Sequence, residues 1–301
     1  MGEEDWADIE SAPKDGTVIE GRRLHNGREI WRGQCRWRVD FIDDGYQHRQ
    51  FIGWMLPQDN KIVPKPTQWR EAPLTIVFMK WFDPNGRWNK RFVYGPEHVN
   101  RARRMVDRNL SIPHRFVLVT DDPSGVDPDI KIVPLRPDLM ALGHRWPKLI
   151  LFAPEARDLF GERLLYLDID LVIMGDLTPM ISHHDFRILR AVTRRMPYNS
   201  SMMLLRTGSR DQVWRDFKPE MAAALVQENG ISASDQYWIA KSLGATEATW
   251  GEDSGVTLYR RKVHGESPLP PATRIVFFPG PVDPSMPDLQ NAHPWIGQHW
   301  R

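Results

Sequence analysis

The sequence predicts an α/β domain built on a largely parallel sheet, preceded by a small β-rich module. From Leu74 onward, short apolar runs alternate with stretches of helical periodicity, the pattern of strands and helices laid down in turn. Residues 1 to about 73 hold no long helical pattern and place five tryptophans, Trp6, Trp31, Trp37, Trp54 and Trp69, among β-favouring runs separated by turn formers. The chain has 301 residues, 41% hydrophobic and 26% charged, which is ordinary globular composition and enough for one large core or two smaller ones. Two domains are therefore expected, 1–73 and 74–301.

A formal net charge of +1 supplies no global field for a nucleic-acid backbone or an acidic membrane, so nucleic acid is not indicated as a partner. The single cysteine, Cys35, excludes an intrachain disulfide framework and any site of several thiolates, and it fits a reducing compartment. The first residues are acidic and lead into no apolar segment, unlike a secretion signal. The run Leu164 to Met174 is broken by Asp168 and Asp170 and falls short of the ~18 to 20 residues of a spanning helix. No membrane span is expected, and the cytoplasm is the expected location.

In the N-terminal module, Asp15-Gly16 before Thr17-Val18-Ile19 reads as a turn entering a strand, with further strands at Trp31 to Val39 and Gln50 to Met55. The tryptophans supply a small core or, in the competing reading, platforms that stack on sugars or bases. Trp6, Ser11-Ala12-Pro13-Lys14-Asp15-Gly16-Thr17 and Pro66-Thr67-Gln68-Trp69 resemble a small bacterial and phage-associated domain of unknown biochemical role.

In the larger domain the strands expected are Thr75 to Trp81, Arg115 to Thr120, Ile130 to Val133, Leu164 to Leu171, Phe186 to Val192, Ser201 to Leu205 and Arg274 to Phe278. A helix opens at Pro96, because Val99, Ala102, Val106 and Leu110 recur at three- and four-residue spacing and proline suits a first helical turn. Two more helices are expected, from about Arg210 to Gln227 and from Asp235 to Leu243.

The stretch from Leu164 to Leu177 carries the chemistry. An apolar strand delivers Asp168 and Asp170 two residues apart and then meets a turn at Gly175. Side chains at i and i+2 share a strand face. Two carboxylates on one face repel, and burying either alone is costly, so a cation or a set of donors is expected beside them. Mn2+ or Mg2+ accepts carboxylate oxygens and leaves positions for a diphosphate. An Asp-x-Asp by itself is common and equally describes two ordinary strand-end carboxylates; its setting between Leu-Leu-Tyr-Leu and Leu-Val-Ile-Met-Gly-Asp-Leu is what makes it specific.

That setting resembles the Asp-x-Asp strand of GT-A fold glycosyltransferases, in particular the family of glycogenin and bacterial lipopolysaccharide galactosyltransferases with its uncharacterised bacterial relatives. Val117-Leu-Val-Thr-Asp-Asp122, Trp146-Pro-Lys-Leu149, Asn199-Ser-Ser-Met-Met-Leu-Leu205 and Asp235-Gln236 resemble further segments of that family, in the family's order. The resemblance implies a nucleotide-sugar-binding mixed sheet flanked by helices. It also implies metal-assisted, retaining transfer from a nucleotide-diphosphate sugar, a UDP-sugar by preference, to a carbohydrate or other acceptor. Asp168 and Asp170 become metal ligands, with Asp168 also touching the donor. Lys148 offsets diphosphate charge, Asn199, Ser200 and Ser201 contact donor sugar or acceptor, and Asp235 and Gln236 lie near the anomeric carbon. Lys80, Trp81, Tyr94, Arg101, Asp121 and Gly280 complete the donor site. Each has a plainer alternative: Lys148 as a solvated lysine, Trp81 and Arg101 as interface or surface residues, Asp235 as a helix-start residue in a capping box with Ser232.

One departure is Val276-Phe-Phe-Pro-Gly280, where the family reads Phe-His-Gly and uses the histidine on the metal; Pro279 cannot ligate. Either His293 or His299 substitutes, or water and phosphate fill the position, or the site has weakened. Two rivals remain. A nucleotidyltransferase would carry a glycine-rich phosphate loop after the first strand, whereas Met79 to Gly86 holds one glycine. The other is a catalytically degenerate glycosyltransferase-like module that binds a carbohydrate or a protein.

Overall fold

A computed structural model describes residues 6–12, 18–25, 28–43, 48–55, 65–66, 68–71, 73–82, 94–142, 145–182, 184–191, 196–218, 220–221, 224, 234–260 and 268–301. The chain divides into two compact units, residues 1–73 and 74–301. In the first, β1 (Ala7–Asp8), β2 (Val18–His25), β3 (Arg28–Asp43), β4 (His48–Met55) and β5 (Gln68–Glu71) form an antiparallel sheet in the order β1-β5-β2-β3-β4. Trp54 is buried with Ile9, Ala12 and Ile19, and Trp31 packs against them, so two of the tryptophans serve the core. Trp6 instead lies under two guanidinium groups, with Arg22 at 4.4 Å and Arg32 at 5.2 Å from its ring centre. The Asp15-Gly16 turn, Thr67 and the side chains of Trp37 and Trp69 lie outside the described residues.

The second unit is a mixed α/β fold. Its main sheet has seven strands: β6 (Leu74–Lys80), β7 (His114–Thr120), β8 (Lys131–Pro134), β9 (Arg163–Leu167), β11 (Phe186–Arg190), β12 (Tyr198–Arg206) and β13 (Ala248–Trp250), ordered β13-β11-β12-β9-β6-β7-β8. A second sheet of three strands joins β10 (Leu171–Ile173), β15 (Ile275–Phe277) and β14 (Val256–Leu258). The half from β9 to β8 is parallel, as expected. β12 runs antiparallel to both neighbours, because the short link from Arg190 to Tyr198 is too brief for a crossover and returns the chain beside β11.

The near-continuous apolar runs follow from burial of both sheet faces. Along β6, Leu74, Ile76 and Phe78 enter one core, and Val77 and Met79 the other. β7 and β9 alternate likewise, with Leu118 and Leu165 on the first face and Val119 and Tyr166 on the second. Helix Pro96–Asn109 covers the first face through Val99, Ala102, Met105 and Val106. The tight turn Trp146–Phe152 and helix Asp235–Leu243 cover the second. Each large aliphatic residue so placed contributes about 1.5–3 kcal/mol.

Two expectations need correction. The strand Leu164 to Leu171 is not continuous: β9 ends at Leu167 and β10 begins at Leu171, in different sheets. Asp168, Ile169 and Asp170 form the bend between them, because Asp168 still donates its N–H to Ser201 of the large sheet while the Asp170 carbonyl already accepts from Phe278 of the small one. The helix expected from Arg210 to Gln227 is interrupted: Gln212–Arg215 is closed at Asp216 by N–H bonds to Gln212 and Trp214, Phe217 and Lys218 are not helical, Glu220, Met221 and Ala224 are helical again, and 219, 222–223 and 225–233 lie outside the described residues.

Candidate active site

The bend carrying Asp168 and Asp170 is the centre of the site. Both residues are half-buried, beside fully buried Leu167 and Leu171. Lys148 Nζ lies 2.7 Å from Asp168 Oδ1, and the Tyr166 hydroxyl donates to the same oxygen at 2.5 Å. Tyr166 and Asp168 stand two apart at the end of β9, so the phenol reaches the carboxylate from the strand itself. Burial opposes ionisation of Asp168, but Lys148, Tyr166 and a hydrogen bond from Ser201 outweigh it and hold the carboxyl below its ordinary range.

Asp170 is in the opposite position. Its carboxylate accepts a bond from the Tyr94 hydroxyl at 3.3 Å, and burial first, then the charges of Asp168 and Asp283, push its pKa well above the usual carboxylate value. Tyr94 is pushed upward by burial and by Asp170, so its phenol remains a donor. Two carboxylates therefore stand together, one neutralised by an internal lysine and the other with no cation paired to it among the described residues.

Asp235 is fully buried in the first turn of its helix, 3.8 Å from Lys148 Nζ, and neither of its oxygens has a hydrogen-bond partner among the described residues. Ser234, not Ser232, is the helix N-cap, and it makes no side-chain capping bond. Gln236 follows in the same turn, half-buried. Asn199 accepts the Ser201 N–H on its side chain at 2.8 Å, with Ser200 buried between them. Thus Lys148, Asp168, Asp170, Ser201 and Asp235, widely separated in sequence, are brought together with Tyr94 and Tyr166.

The other expected residues make contacts of their own. Asp121 accepts the Phe82 N–H at 3.0 Å and joins the ends of β6 and β7, where Lys80 and half-buried Trp81 also sit. Arg101 is engaged by the C-terminal segment: its guanidinium donates to the Trp300 carbonyl at 3.0 Å and lies 4.0 Å over the indole. Gly280 turns the chain after β15 at φ +87°, a left-handed conformation suited to glycine. His293 bonds the Tyr259 hydroxyl at 2.8 Å. The His299 imidazole is pushed down by burial and by Arg108 and Arg301. Among the described residues no contact joins either histidine to the acidic pair, and no three His, Cys, Asp or Glu side chains are already gathered as a metal centre.

Sequence reasoning passed over Tyr166 and Asp283. Tyr166 was legible from its i, i+2 spacing to Asp168; Asp283, in Pro-Val-Asp-Pro, carries no local signal.

The chemistry of the acidic set suits a hard divalent cation: all the groups offer oxygen, both aspartates of the bend keep partial exposure to solvent, and Asp170 is costly to ionise without a counter-charge.

No family model matches the chain, and no curated protein matches it. Solved structures similar to it include glycosyltransferases. The galactosyltransferase LgtC, in complex with donor and acceptor sugar analogues, is 14% identical, with 75% of this chain and 96% of that one covered and a TM-score of 0.49. The glycosyltransferase GlyE of Streptococcus pneumoniae TIGR4 is 13% identical over 71% of this chain and 57% of its own, with a TM-score of 0.49. Mouse xyloside xylosyltransferase 1 is 12% identical over 69% of this chain and 98% of its own, with a TM-score of 0.44.

Proposed function

We propose that the chain is a metal-assisted glycosyltransferase that moves a sugar from a nucleotide-diphosphate donor, a UDP-sugar by preference, to a carbohydrate or other acceptor. The observation that carries this reading is the pair at the bend: Asp170, whose carboxylate meets the Tyr94 hydroxyl at 3.3 Å, beside Asp168, already paired with Lys148. Such a pair costs free energy until a cation arrives, and both aspartates keep partial exposure to solvent.

When bound, Mn2+ or Mg2+ would supply Lewis-acid stabilisation of the departing diphosphate. Asp168 and Asp170 would hold it from the bend. Lys148, almost fully buried, adds fixed positive charge on the leaving-group side and needs no reorganisation to do so. Asn199, Ser200 and Ser201 orient the donor sugar or acceptor from the start of β12. Asp235 is wholly withdrawn from solvent, which favours an electrostatic role, opposing positive charge at the anomeric carbon through its field, over a base that an acceptor hydroxyl must reach. That assignment accords with retention of configuration. Gln236, half-buried beside it, would touch the sugar.

The test is thermal stability in a panel of nucleoside diphosphates with and without Mn2+, since mass action stabilises whatever state binds. A shift with UDP that requires Mn2+, together with release of sugar from UDP-sugars, is the expected result. Silence in both measurements leaves the degenerate binding module as the better account.

A further inference from the structure

A buried carboxylate outside the Asp-x-Asp bend belongs to the same electrostatic neighbourhood. Asp283 is 1% exposed. His98 Nε2 lies 3.3 Å from its Oδ1, which also accepts the Ser285 N–H at 2.8 Å, while Oδ2 has no hydrogen-bond partner among the described residues. His98 is buried as well, with Glu97 Oε1 3.2 Å from its Nδ1.

Two routes tie Asp283 to Asp170. Through space, Tyr94 donates to Asp170 Oδ2 and sets its ring edge-on against His98, with centroids 5.2 Å apart, and His98 holds Asp283. Along the chain, β15 pairs with β10, Phe278 donates its N–H to the Asp170 carbonyl, and the turn at Gly280 leads into the segment carrying Asp283. Burying a carboxylate with one oxygen unsatisfied is expensive, and a purely structural anchor for His98 would need no such orphan.

We propose that Asp283 is a third acidic group of the cation site, setting by its charge the affinity for a hard divalent cation that Asp168 and Asp170 hold. This rests on the glycosyltransferase reading and adds to it a residue that binds through the field, with His98 and Ser285 fixing its place. Removing such a supporting group typically weakens metal binding by roughly 10–100-fold.

The experiment is titration of Mn2+ in the presence of UDP, followed by electron paramagnetic resonance of the free ion, on the parent chain, Asp283→Asn and Asp283→Glu. The expected result is an affinity reduced by about tenfold or more in Asp283→Asn and largely retained in Asp283→Glu. Where Asp283→Asn does not fold, the double variant His98→Phe with Asp283→Leu replaces the buried pair by apolar groups, a change that cores often tolerate, and the same loss is expected. A folded variant lacking the carboxylate that holds Mn2+ as tightly as the parent overturns the inference alone. A parent chain that binds no Mn2+ overturns both this inference and the enzymatic reading beneath it.

Discussion

Lys148 Nζ sits 2.7 Å from Asp168 Oδ1, in the layer between the Trp146–Phe152 turn and β9, with the lysine side chain only 5% exposed. A lysine so enclosed is fixed by its partner. Lys148→Met should therefore strand Asp168 and Asp235 without their cation and lower folding stability by about 3 kcal/mol, the low end for a broken buried pair because Asp168 keeps some contact with water. Urea unfolding of the two proteins measures this directly, and a loss below ~1 kcal/mol would mean the contact is not maintained in solution.

Asp170→Asn should separate stability from function. It removes a charge that burial and Asp168 make costly, so the ligand-free variant should unfold at a higher temperature than the parent. Yet the Mn2+-dependent shift with UDP should vanish, and sugar release should fall on the order of 100-fold or more. Equal turnover by variant and parent would remove Asp170 from the site.

The same carboxyl predicts a pH dependence. Its folded pKa is raised, so the folded state holds the proton longer than the unfolded chain, whose value is about 3.9. The stability this lends is present at acid pH and is lost as pH rises from that value through the folded one. The lead of Asp170→Asn over the parent should consequently widen from pH 4 upward in ligand-free thermal melts. A constant gap would show that Asp170 ionises normally.

Arg101 tests a different assignment. Its contacts are the Trp300 carbonyl and ring, and Arg108 similarly donates to the carbonyls of His299 and Arg301. Arg101→Ala should cost about 2 kcal/mol through the lost cation–π contact and charged hydrogen bond while leaving UDP affinity unchanged. A fall in UDP affinity without a fall in stability would return Arg101 to the base-binding role that the family resemblance implies.

The elements most legible in the sequence were those decided by local periodicity. Leu74–Lys80, His114–Thr120 and Asp235–Leu243 lie within a residue of where apolar spacing puts them. The break at Asp168 was not legible, because Leu-Leu-Tyr-Leu-Asp-Ile-Asp-Leu-Val-Ile alternates well enough for one long strand; only the pairing of Leu171 with Phe277, over a hundred residues away, reveals a second sheet. The direction of β12 depended likewise on its neighbours. In the site, Asp168, Asp170 and Lys148 stood out by motif, whereas Asp283 owes its place to the turn after β15 and to His98, contacts between segments 185 residues apart.

The bend at Asp168–Asp170 has a mechanical side. One carboxylate is registered to the seven-stranded layer through Ser201 and the other to the three-stranded layer through Phe278, so the gap between them measures how the two layers are offset. Whatever clasps both groups rivets the layers together, and slippage at that seam alters the width of the clasp. Amide protons of β14 and β15 should on this account exchange more slowly once the clasp is closed.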